Sequence, residues 1–201
     1  MFFMRLSQIT SFIRPLNVVT NSIQHFHRSM SSQVTSYDLE IFKRLAKNDA
    51  LLTSLSLSMS QIGPKGAQML AKSLKTNDQV VEVYLNKNHF QDQGAIYIAE
   101  ACEKNKSLKV LDLSRNAIGD AGAVAIAQML RVNQGLQFLL LSHNQITSDG
   151  LNHLAQALEV NAHLKELHLN FNSFDHLNGQ RFKEQLNAHT SLKRIKIGFK
   201  S

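Results

Sequence analysis

The chain carries a single cysteine, Cys102, in 201 residues. That excludes an internal disulfide framework and fits a reducing compartment. No apolar run approaches the roughly 18 residues that a membrane-spanning helix needs, so no such segment is expected. The short signatures of common chemistry are missing as well. There is no HExxH or CxxC, no paired-histidine spacing joined by a carboxylate, no GxSxG around a serine and no GxxxxGK(S/T) loop. The nine histidines therefore read as solvated side chains. Eight of them are placed by the pattern: His25 and His27 near the N-terminus, His143 and His168 on or beside strands, and His153, His163, His176 and His189 in helices and loops. No enzyme activity, metal or cofactor is expected.

Negative charge is absent from the N-terminal segment. The net charge is +7, and the first 31 residues supply Arg5, Arg14 and Arg28 with no acid before Asp38. The remainder is only mildly basic, without the clustered Lys, Arg and aromatic residues of a nucleic-acid binder. Wound as a helix, Phe2, Leu6, Ile9 and Ile13 share one face, opposite Ser7, Ser11 and Arg14. Such an acid-free amphipathic leader over residues 1–32 is expected to be a mitochondrial or plastid transit peptide, with a mitochondrial address the expected one. Arg28 before Ser29-Met30-Ser31 offers a processing point. The alternatives are a disordered extension in a cytoplasmic protein, or a true start at Met30.

What is abundant is repetition. Strand-like segments begin at Leu52, Val80, Leu108, Leu136, Leu164 and Leu192, each 28 residues after the last. The clearest copy, LKVLDLSRNAIGDAGAVAIAQMLRVNQG, runs from Leu108 to Gly135. Leu108, Leu111 and Leu113 are expected to point inward from a short strand. Asn116, matched by Asn88, Asn144 and Asn172, is placed to satisfy backbone groups at a buried bend. Ile118 packs inward, as do Ile62, Phe90, Ile146 and Phe174. Gly66, Gly94, Gly122 and Gly150 follow, where backbones approach closely. Ala71, Ala99, Ala127 and Ala155, with Leu74, Cys102, Leu130 and Leu158, form the inner face of a helix. Cys102 takes a position that is leucine in the other copies, and is expected to be a buried, inert thiol. Asn77, Asn105, Asn133 and Asn161 are expected to close the helices in a left-handed C′ conformation.

These markers at one fixed period resemble the ribonuclease-inhibitor-like leucine-rich repeats, also found in NOD-like receptors and the Ran GTPase-activating protein. The resemblance covers about residues 36–201. It implies an α/β horseshoe solenoid of 28-residue repeats, with a parallel sheet on the concave side and helices on the convex side. A capping helix is expected over 37–48. The fifth copy departs from the pattern, with Asn178 at the glycine position and Lys183 at the alanine position, so its helix is expected to pack less regularly. The sixth strand, LKRIKIGFK, leaves an open edge bearing Lys193, Arg194 and Lys196. Edge protection is the plain reading of these three cations; an acidic partner or self-association through this strand is the sharper one.

With the leucines inward, alternate strand residues face the concave side. Most are polar. Val110, Phe138 and Leu140 are not, and with Tyr84 and Phe171 they are expected to form an apolar strip, rimmed by Glu82, Asp112, Arg115, Glu166 and His168. A rimmed apolar patch marks an interaction site. The expected function is therefore a non-catalytic scaffold that binds a protein partner through Tyr84, Val110, Asp112, Arg115, Phe138, Leu140, His168 and Phe171. Binding of nucleic acid is not expected. The alternatives are a GTPase regulator similar to the Ran GTPase-activating protein, an inhibitor of a basic ribonuclease, or a sensing fragment of a receptor.

Overall fold

A computed structural model describes residues 34–187 and 192–198, so the leader 1–32 and His189 lie outside the described residues. A first helix, α1 (Ser36–Ala46), precedes five strand–helix units and a last strand. They are β1 (Ser54–Ser56), α2 (Gly63–Leu74), β2 (Glu82–Tyr84), α3 (Gln91–Cys102), β3 (Val110–Asp112) and α4 (Asp120–Val132). β4 (Phe138–Leu140), α5 (Ser148–Leu158), β5 (Glu166–His168), α6 (His176–Asn187) and β6 (Arg194–Lys196) follow. The strands form one parallel sheet in chain order, each residue beside its equivalent 28 positions on: Leu55 with Val83, Val83 with Leu111, Leu111 with Leu139. This is the leucine-rich-repeat solenoid that the period implies. Paired strands stand about 4.8 Å apart while packed helices need about 8–10 Å, so the stack must bend with its sheet on the inside.

The core lies between the two layers. Leu111, Leu113, Ile118, Ile126 and Leu130 have no exposed surface, as do their counterparts Leu139, Leu141, Ile146 and Leu154. The glycines are where expected, and for the expected reason. A Cβ on Gly122 would meet Ile118 Cγ2 at 2.5 Å and Ala95 Cβ at 3.1 Å. α1 spans Ser36–Ala46, slightly shorter than 37–48 implied at its C-terminal end, and Thr35 and Asp38 close a reciprocal capping box at its start.

Two asparagine ladders knit successive coils. At the bend after each strand, Asn116 Oδ1 accepts from the Asn88 and Phe90 amides of the preceding coil, at 2.9 and 3.4 Å. Its Nδ2 donates to the Leu85 and Leu113 carbonyls, both at 3.0 Å. Asn88, Asn144 and Asn172 repeat the pattern. The second ladder corrects the sequence reading. Asn77, Asn105, Asn133 and Asn161 are not left-handed caps; none has positive φ, and Asn133 is extended at φ −72°, ψ 128°. They are buried instead. Asn133 Nδ2 donates to the Cys102 and Asn105 carbonyls at 2.6 and 2.9 Å, and its Oδ1 accepts from the Gly135 and Leu136 amides. Asparagine suits both situations, and only the partner carbonyls, some 30 residues away, decide between them.

Candidate functional site

The inner side of the sheet presents two rows of strand side chains. One row runs Ser54, Glu82, Val110, Phe138, Glu166 and Arg194; the other runs Ser56, Tyr84, Asp112, Leu140, His168 and Lys196. Of the eight residues expected to bind, Tyr84, Val110, Asp112, Phe138, Leu140 and His168 stand in these rows. Phe138 and Leu140 share β4 and are half-buried, so they offer apolar surface side by side. Two members offer far less than the alternation implies. Val110 is 2% exposed and His168 8% exposed. Val110 is a short side chain hemmed between Glu82 and Phe138, and strand neighbours about 4.8 Å apart close over it. The apolar strip is thus narrower than five contiguous residues.

The ionisable groups of the face are tuned mainly by partial burial. Burial raises the Asp112 carboxyl against the pull of hydrogen bonds from Ser114. The Tyr84 phenol is pushed up to about 12, by burial first and then by the neighbouring Glu82 charge, and its hydroxyl donates to Glu82 Oε2 at 3.4 Å. His168 is lowered by burial and by Lys196, against the raising effect of Glu166, whose Oε2 lies 3.4 Å from Nε2. Glu166 also pairs with Arg194 at 3.6 Å. Cys102 is fully buried, and its thiol is pushed up to about 12. At neutral pH it stays protonated and is a poor nucleophile. No cluster of three metal-ligating side chains occurs among the described residues, and no helix there is long and apolar enough to cross a membrane.

Arg115 and Phe171 are not on the face. They belong to a rim at the carboxyl ends of the strands that strand alternation cannot reveal. Met59, Lys87, Arg115, His143 and Phe171, again 28 residues apart, all have left-handed backbones with φ of 57–60°. Each amide is held by the next coil: Lys87 N to Ser114 O at 3.0 Å, Arg115 N to Ser142 O at 2.9 Å, His143 N to Asn170 O at 2.7 Å. The turn is needed so that the next residue, the ladder asparagine, can point inward. It costs about 1–2 kcal/mol at each non-glycine position, offset by those bonds. On this rim the His143 and Phe171 rings stack with centroids 4.5 Å apart, and Arg115 Nη2 lies 3.1 Å from His143 Nε2. Arg115, His143 and Phe171 line an open depression together with His89, Ala117, Asn144 and Gln145.

Comparison with known proteins agrees with this architecture. The Leucine Rich repeat family model matches residues 49–71, 104–127, 132–155 and 160–175. Among solved structures, leiomodin-1 actin-binding site 2 is 26% identical with a TM-score of 0.66, over 77% of this chain and 90% of that one. The tropomodulin C-terminal domain of Caenorhabditis elegans is 17% identical with a TM-score of 0.64, over 75% and 91%. At that identity the second likeness shows the fold alone. No curated protein sequence matches significantly.

Proposed function

We propose that this chain is a non-catalytic interaction module of ribonuclease-inhibitor-type repeats whose protein partner docks against the inner side of the sheet. The observation that carries the reading is the half-buried pair Phe138 and Leu140, apolar residues on a face that is otherwise mostly polar, with Asp112 beside Leu140 and Tyr84 one strand further on. Actin is the first partner to test, because the similar leiomodin-1 structure is an actin-binding site. Co-sedimentation of the full chain with actin filaments is the experiment. Binding by the native chain, lost in Phe138→Asp/Leu140→Asp with unchanged circular dichroism, is the expected result. Binding retained by the double variant would remove the face from the reading, and no binding by the native chain would remove actin.

The acid-free leader supports a mitochondrial address as an alternative to the actin reading. A labelling enzyme fused after Ser201 should mark mitochondrial neighbours, and lose them when the chain starts at Met30. Cytosolic neighbours from both versions would discard that address and keep actin in reach.

A further inference from the structure

We propose that the rim at the carboxyl ends of β2–β5 receives an extended acidic segment of the protein partner. Its carboxylates would lie on Lys87 and Arg115, and an apolar side chain against Phe171. This rests on the reading of the chain as a protein-binding module, and extends it to a surface outside the strand rows. The left-handed backbones at Lys87, Arg115, His143 and Phe171 are locked by bonds to the following coil, so the points from which their side chains leave the rim form a pre-set row. A row whose backbone is already ordered loses little backbone entropy when a partner binds. Lys87 and Arg115 are exposed, and no carboxylate pairs with either among the described residues. Arg115 Nη2 lies 3.1 Å from His143 Nε2, and because a guanidinium only donates, the imidazole nitrogen is the acceptor in that contact. The His143 ring, stacked on Phe171, steadies Arg115 at the mouth of the depression.

The neighbouring rows decide what kind of anion fits. Glu82, Asp112 and Glu166 stand on the strands that lead into this rim. A continuous polyanion such as nucleic acid would meet them as repulsion. A peptide with acidic residues at intervals can set each carboxylate on the rim and turn its other side chains to the face. Alternate residues of an extended peptide repeat at about 6.8 Å, close enough to the strand spacing of about 4.8 Å for long Lys and Arg side chains to bridge the difference.

The test uses the full chain and a fluorescent short peptide alternating glutamate with leucine, read by anisotropy. Its glutamine counterpart and an oligothymidylate serve as competitors. Lys87→Asn/Arg115→Asn removes both charges with a residue that accepts the left-handed backbone, so the variant should fold. It should bind the peptide about tenfold more weakly, or worse. Equal binding of the glutamine peptide, or unchanged binding by Lys87→Asn/Arg115→Asn, overturns the proposal, and tighter binding of oligothymidylate replaces it with a nucleic-acid site. If the peptide fails while actin capture depends on Phe138 and Leu140, the face reading stands alone. If the peptide binds as expected while no protein is captured, the rim stands and the face reading falls.

Discussion

The middle coils and the last one are built from the same pattern and do not pack alike. From α3 to α5, each helix sets a glycine against the preceding helix. A Cβ on Gly94 would lie 3.2 Å from Ala67 Cβ, and one on Gly150 would lie 3.0 Å from Ala123 Cβ. α6 has Asn178 in that position and Lys183 where the others have alanine, and its Leu177 is 55% exposed. β6 shows the same contrast. Ile195 and Ile197 are as apolar as Leu111 and Leu113, yet they are half-exposed while the leucines are sealed. In a stacked array, apolar character does not by itself bury a side chain. It needs a coil on each side, and small residues that let those coils come close.

Four substitutions sharpen or break this contrast. The largest effect is expected at Leu111, where truncation to alanine leaves a cavity in the shared core and costs about 2–5 kcal/mol in denaturant unfolding. Ile195→Ala, its equivalent on β6, should cost less than half as much; equal costs would erase the distinction between middle and end. Asn116→Ala comes next, at about 2–3 kcal/mol, because it strands the buried Asn88 and Phe90 amides. Hydrogen exchange at those two amides should rise first, and unchanged protection would mean that water replaces the side chain. The smallest is a gain. Lys183→Ala makes α6 resemble the middle helices and should raise stability by on the order of 0.5 kcal/mol. A loss there would show that the lysine stem is itself packing.

Much of this was legible in the residues. A period of 28 without drift placed every strand, and the inward leucines, the small helix residues and the first asparagine ladder followed from it. What escaped depends on neighbours distant in the chain. Val110 reads as outward-facing by alternation, and it does lie on the inner face, but flanking strands cover it. The second asparagine ladder was taken for helix caps because a local window contains no sign of the carbonyls it bridges. The rim was invisible for another reason. Its left-handed positions hold Met59, Lys87, Arg115, His143 and Phe171, and not one glycine marks them.

The asparagine ladders also give the array a grain. Nearly every acceptor and donor they use in a neighbouring coil is a backbone atom, which any sequence supplies. A coil can therefore be duplicated or deleted whole without disturbing the hydrogen bonding of the joint, whereas a cut inside one orphans a ladder on each side. Drawn out by its ends, such a chain should yield in steps of one coil. Each step would release 28 residues, or roughly 95 Å of extended chain. Mechanically, the protein is a row of equal links in which the asparagines are the pins.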